Sequence, residues 1–149
     1  MGRKTWQSIP PRFRPLKDRL NAVITRTPSE LGISPPTITI PDLESSVSAE
    51  QTKDCSKIFI IGGAQIYKLA LEQEKSEKAE TTRILLTRIL SDFECDTFFP
   101  LELKEDGTAE GWERKSKQEL DDWVGEKVPE GVQEENGTKY VFEMWEKKR

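Results

Sequence analysis

Two glycine-bearing segments are the first places in this sequence where chemistry is expected. Lys57-Ile58-Phe59-Ile60-Ile61 reads as a buried strand closed by Gly62-Gly63, and Ala64 opens a pattern in which Ile66, Leu69 and Ala70 fall at helical spacing. A helix that begins directly after a strand and a glycine pair points unpaired backbone N–H groups at the carboxyl edge of a sheet, where an anion is welcome. Side chains at 62 and 63 would hold a diphosphate away from the backbone, although a tight turn with positive φ asks for the same two glycines. Gly2-Arg3-Lys4-Thr5 is a second helix start, with two cations and a hydroxyl suited to phosphate oxygens. It is not a nucleoside-triphosphate loop, because the first glycine of GxxxxGK[ST] is missing and both Arg3 and Lys4 precede Thr5. Thr25-Arg26 closes another apolar run, at the kind of strand end where ligands sit in open α/β sheets.

Composition narrows what these segments can serve. The chain has 149 residues, 34% of them hydrophobic, which suits one domain with a real core. It contains no His, which removes the Ser-His and Cys-His nucleophile pairs and the commonest zinc ligand, and no metal site is expected. A net charge of -4 argues against nucleic acid as a partner. Only Cys55 and Cys95 are present, a usage that fits a reducing, cytoplasmic setting. The longest uncharged apolar stretch, 58–67, is far below the roughly 18 residues of a membrane span, and the N-terminus shows no targeting pattern. The charge is unevenly spread: the first 26 residues hold seven Arg or Lys and one acid, Asp18. That density suits an anionic small molecule, and equally an ordinary solvated face.

The elements that must position these residues alternate between β-type and α-type patterns. Several β-type runs are continuous rather than alternating, so an α/β fold with a predominantly parallel central sheet and flanking helices is expected. Arg3 to Ile9 reads as a short helix halted by Pro10-Pro11, Leu20 to Thr25 as a buried strand, and Thr37 to Ile40 as the next. Asp42 is placed to cap a helix containing Leu43 and Val47. A charged loop over 72–80 leads to a further buried strand, Arg83 to Ile89. Asn136-Gly137 predicts a two-residue turn into a strand through Trp145, closing the chain with an antiparallel hairpin.

Taken together, Met1-Gly2-Arg3-Lys4-Thr5-Trp6-Gln7-Ser8-Ile9-Pro10, Arg14-Pro15-Leu16-Lys17-Asp18-Arg19-Leu20-Asn21, Ile60 to Tyr67 and Leu86-Thr87-Arg88-Ile89 closely resemble dihydrofolate reductase. Asp96-Thr97-Phe98-Phe99-Pro100 and Lys139 to Glu143 extend the resemblance over essentially the whole chain. It implies an oxidoreductase of tetrahydrofolate and one-carbon metabolism, with NADPH as cofactor and dihydrofolate as a small-molecule substrate. On the cofactor side it implies that Gly2, Arg3, Lys4 and Thr5 receive phosphates and that Thr25 and Arg26 meet the adenosine 2'-phosphate. A second wall would run from Ile61 through Gly62, Gly63, Ala64, Gln65, Ile66 and Tyr67, with a cis peptide between the two glycines. On the substrate side, Ile9, Pro10 and Leu16 resemble the apolar walls around the aminobenzoyl ring, and Arg19 the guanidinium that grips the glutamate carboxylate in bidentate fashion. Ile61 would offer its carbonyl to the pterin amino group, and Thr87 would help hold the pterin through water or a carboxylate.

The family's first strand, its mobile loop and its first helix, which bears the catalytic acid, have no counterpart in this sequence and would need roughly 45 residues. The expectation is therefore a single reductase domain, 1–149, incomplete at its N-terminus because the gene reading begins at an internal Met. No catalytic residue is assigned: Asp92, Glu94 and Asp96 match a stretch that braces the mobile loop. A complete chain would be a monomer, whereas a truncated one exposes strand edges that invite association. The alternative is a non-catalytic NADPH-binding or interaction fragment. A reductase of pyrimidine intermediates in riboflavin synthesis, sharing the fold, fits Arg19 and the Ile-Pro wall less well.

Overall fold

A computed structural model describes residues 1–72 and 80–148, which divide by their internal contacts into two compact units, Met1–Glu80 and Thr81–Arg149. In the first unit, β1 (Ala22–Ile24) pairs in parallel with β2 (Ile38–Ile40), Ala22 opposite Ile38. The other edge of β1 is taken by the start of the chain. Met1 donates its amino group to the Ala22 carbonyl at 2.9 Å and accepts from the Ile24 N–H at 2.7 Å, which makes Gly2 a parallel bridge partner of Ile24. With both edges occupied, Val23 is fully buried. Helix α1 (Arg3–Ser8) packs on β1, and α2 (Leu43–Ser48) packs on β1, β2 and α3 (Ala64–Glu72). Asp42 caps α2 as its sequence suggests, accepting from the Ser45 N–H at 2.7 Å.

The second unit is a five-stranded sheet, wholly antiparallel, in the order β3 (Arg83–Ile89), β7 (Thr138–Lys147), β5 (Trp112–Arg114), β4 (Thr108–Ala109), with β6 (Gln133–Glu135) paired to β7. Asn136 and Gly137 both take positive φ, 50° and 78°, which is the geometry a two-residue hairpin turn requires. The long strand β7 runs through the centre and buries Met144 and Trp145 with Trp112, Leu103 and Leu120. Helix α4 (Lys117–Val124) packs on β7 and opens with a capping box in which Ser116 and Glu119 satisfy each other's N–H groups.

The α/β class and the terminal hairpin hold, but two expectations change. Among the described residues parallel pairing is confined to β1, with β2 on one edge and Gly2 on the other, and the five-stranded sheet is antiparallel, so strand pairing is not predominantly parallel. A continuous apolar run does not encode the direction of its neighbour, and the hairpin returns β7 antiparallel on β3. Nor is β3 buried on both faces: Leu85 and Ile89 are exposed while Ile84 and Leu86 are half-buried. No strand forms over 57–61, where Ile58 and Phe59 are 49% and 56% exposed, because a strand exists only through a ladder and none is made there among the described residues. Most of the charged loop expected over 72–80 lies outside the described residues.

The polar knot of the second unit is Glu143. Its carboxylate takes a bidentate fork from Arg88 at 2.8 and 2.9 Å and the Trp145 indole N–H at 2.9 Å, while Arg88 also donates to the Leu103 carbonyl. Burial alone would raise the Glu143 carboxyl; the Arg88 fork and the indole outweigh it and hold the group below the usual carboxylate range. A lowered folded value contributes stability above the ordinary carboxylate range that is lost as pH falls through the folded value. Glu143→Gln is therefore expected to cost about 3 kcal/mol at neutral pH and to flatten the loss of stability as pH falls through and below the ordinary carboxylate range. Urea unfolding across that range checks both; an unchanged slope would mean that Glu143 does not titrate as a paired group.

Candidate functional site: two helix starts joined through glycine

The glycine segments singled out from the sequence meet in the first unit. Gly2 donates its N–H to the Gly62 carbonyl at 2.7 Å, and its own carbonyl accepts the Trp6 N–H at 3.1 Å as the N-cap of α1. A Cβ on Gly2 would lie 3.3 Å from Ile66 Cγ1, with the Gly62 carbonyl oxygen at 3.7 Å and the Gly63 nitrogen at 3.8 Å. From the other side, a Cβ on Gly63 would meet the Thr5 hydroxyl at 3.6 Å. The first turns of α1 and α3 are thus held side by side with only glycine between them.

This arrangement leaves backbone donors without protein acceptors. The N–H groups of Arg3, Lys4 and Thr5 precede the first intrahelical bond of α1, which has no side-chain cap. In α3 the first bonds run from Ile66 and Tyr67 to the Gly63 carbonyl at 2.9 and 3.0 Å, and the Ala64 and Gln65 N–H groups take no acceptor among the described residues. Two uncapped helix starts, side by side and flanked by exposed Arg3 and Lys4, form a cradle of positive potential.

Gly62 is required for two reasons. Its φ is +97°, and a Cβ there would stand 3.2 to 3.3 Å from the Tyr67 ring. The Gly62-Gly63 peptide is cis, as the resemblance implied. Burial raises the Tyr67 phenol above the ordinary tyrosine value, so the ring beside the glycine pair is neutral across the physiological range.

The remaining sequence-predicted residues are divided between the two units. Thr25 is buried at the end of β1, donates its N–H to the Ile40 carbonyl at 2.9 Å and accepts the Thr27 N–H on its hydroxyl at 3.2 Å, while Arg26 is exposed. Ile9 follows α1 and Pro10 opens a short 3-10 turn, Pro11–Phe13. That turn leads to Arg14, which stacks over the Trp6 ring at 5.2 Å and reaches the Trp6 carbonyl. Leu16 is half-buried, Arg19 is exposed with its Nε donating to the Lys17 carbonyl at 2.9 Å, and Ile61 is exposed immediately before the glycine pair. Thr87 belongs to the second unit, exposed on β3 opposite Phe142. The sequence reading passed over Asn21 as the opening of a strand; in the structure its buried side chain closes the 16–21 loop. Its signal was a polar amide directly ahead of the apolar Ala22-Val23-Ile24 run.

Replacing Gly62 by Ala is expected to cost roughly 1–3 kcal/mol, because the left-handed backbone and the Tyr67 contact act together. Gly2→Ala, at φ -76° and against a flexible Ile66 side chain, is expected to cost much less. Thermal denaturation of the two variants checks the contrast, and equal losses would contradict it.

Comparison with known proteins gives this geometry its context. The dihydrofolate reductase family model matches residues 1–147. Dihydrofolate reductase of Pneumocystis carinii is 42% identical over 151 aligned residues, covering 97% of this chain and 71% of that protein. That of Cryptococcus neoformans is also 42% identical, covering 97% and 72%. The solved structure of Schistosoma mansoni dihydrofolate reductase superposes with a TM-score of 0.73 at 31% identity, over 99% of this chain and 73% of that one. With the glycine junction in place and the family model matching residues 1–147, the chain belongs to the dihydrofolate reductase family, oxidoreductases that reduce dihydrofolate to tetrahydrofolate with a nicotinamide cofactor.

Proposed function

We propose that this chain binds NADPH across the joined starts of α1 and α3 and holds dihydrofolate beside it for reduction to tetrahydrofolate. The observation that carries the reading is the pairing of two uncapped helix starts through the Gly2 N–H and the Gly62 carbonyl, with unpaired N–H groups at Arg3, Lys4, Thr5, Ala64 and Gln65. Such a pair of donor sets, opened by glycine, fits a dinucleotide diphosphate better than a single phosphate. When bound, the nicotinamide supplies the hydride that the substrate receives at C6.

Each side chain then has a binding or orienting task. Arg3, Lys4 and Thr5 supply charge and a hydroxyl to the phosphates, and Ala64 to Tyr67 form the facing wall. Arg26 has no carboxylate partner among the described residues and lies two residues past the end of β1. With Thr25 it suits an adenosine 2'-phosphate, which selects NADPH over NADH. Ile9, Pro10 and Leu16 provide apolar contact for the aminobenzoyl ring, the Ile61 carbonyl accepts from the pterin amino group, and Arg19 takes the glutamate carboxylate. The proton gained at N5 is assigned to none of these residues. A cytoplasmic setting accompanies the reading, supported by free and exposed Cys55 and Cys95.

Fluorescence titration, followed by absorbance of the reduced nicotinamide with dihydrofolate added, tests the proposal. NADPH is expected to bind more tightly than NADH, Arg26→Ala to remove at least about tenfold of that preference, and NADPH to be consumed only when dihydrofolate is present. Binding without consumption would favour a non-catalytic nucleotide-binding protein. Failure of NADPH to bind at all would overturn the assignment.

A further inference from the structure

We propose that Asn21 is a positioning residue for recognition of the substrate's glutamate carboxylate, acting by locking the 16–21 loop that carries Arg19. The inference rests on the assignment of Arg19 to that carboxylate. Asn21 is only 3% exposed, and its side chain is fully engaged with the loop it closes. Oδ1 accepts the Leu16 N–H at 3.0 Å, while Nδ2 donates to the Leu16 carbonyl at 2.8 Å and to the Arg19 carbonyl at 3.1 Å. One acceptor and two donors on a single planar group are what a primary amide offers; an aspartate would supply the acceptor and lose both donors.

The lock is anchored to the sheet. The backbone carbonyl of Asn21 accepts the Ile38 N–H at 2.9 Å, and the next residue begins β1, so the side chain refers the loop to the β1–β2 ladder. At the loop tip Asp18 adopts φ +59°, a turn that brings the Lys17 carbonyl to the Arg19 Nε at 2.9 Å. That bond uses the inner nitrogen of the guanidinium. Both terminal nitrogens keep their donors, and no carboxylate is paired with them among the described residues. A guanidinium so fixed meets a carboxylate with its planar fork already oriented, and less side-chain freedom is lost on binding. Leu16, held at both its N–H and its carbonyl by the same amide, is set at the same time. One buried side chain thereby fixes an apolar contact and a charged contact of the substrate site together.

The test compares folate with its α-carboxamide, which differs only at the carboxylate in question, by equilibrium titration of the full chain and its variants. The parent is expected to prefer folate by about tenfold, and Arg19→Ala to abolish that preference. Asn21→Asp is expected to remove most of the preference, whatever it does to the affinity that both compounds share through Leu16, and to add nothing to the lost preference in the Arg19→Ala background. If the parent shows no preference, or Arg19→Ala keeps it, the assignment of Arg19 fails and the role of Asn21 falls with it. If Arg19→Ala abolishes the preference and Asn21→Asp preserves it, Arg19 stands and the positioning role is overturned. Should Asn21→Asp not fold, the unmutated chain gives the same decision by NMR. Its Asn21 side-chain amide signals are expected to shift on adding folate but not the carboxamide, and signals indifferent to both would overturn the proposal.

Discussion

The hydrogen bond from the Gly2 N–H to the Gly62 carbonyl, 2.7 Å long, is the contact on which the functional geometry depends. It joins the residue that caps α1 to the residue that precedes α3, and it does so through backbone alone. Met1 and Gly2 are themselves laid along β1, so the order across the first unit runs from β2 to β1, to the start of the chain, and on to the glycine pair. Helix α1 inherits its position from this ladder and α3 inherits its own from α1. A side chain at Gly62 would combine a left-handed backbone with pressure on the Tyr67 ring, and one at Gly2 would need Ile66 to give way. One at Gly63 would only touch the Thr5 hydroxyl, so the close approach of the two helix starts rests chiefly on Gly62 and Gly2.

The same constraint gives meaning to the uneven charge. In the second unit several cations are spent on local carboxylates: Arg83 on Glu146, Arg88 on Glu143, Lys117 on Asp121, and Lys115 on Glu113 and Glu119. The Lys115 pairings raise its ammonium and hold the Glu119 carboxyl down to about 2. In the first unit the seven Arg and Lys of residues 1–26 meet no carboxylate among the described residues; their contacts are carbonyls and rings, as with Arg14 on Trp6 and Arg12 on Phe13. One basic set serves the fold, and the other remains available to an anionic ligand.

Much of this was legible in residue order. The glycine pair followed by Ile66, Leu69 and Ala70 announced a helix start, Asp42 announced its cap, and Asn136-Gly137 announced the hairpin, because each rests on local backbone chemistry. The direction of strand pairing was not legible, since Arg83 to Ile89 carries the same apolar run whether its neighbour is parallel or antiparallel. The run over 57–61 had the composition of a buried strand, and composition does not supply a ladder partner. Helix α4 was missed although Ser116 and Glu119 stand three apart ahead of Leu120, a capping-box signal hidden in an acid-rich stretch. Asn21 was missed for a different reason: an amide directly ahead of the apolar Ala22-Val23-Ile24 run marks a polar strand start, and that signal does not by itself say that its three bonds reach back as far as Leu16.

Amide-resolved NMR of the chain during titration with NADPH measures the joined helix starts most directly. The N–H signals of Arg3, Lys4 and Thr5 and those of Ala64 and Gln65 are expected to shift together along one saturation curve, because a single diphosphate engages both sets. Binding that moved one set and left the other unchanged would contradict the shared cradle and the functional assignment built on it.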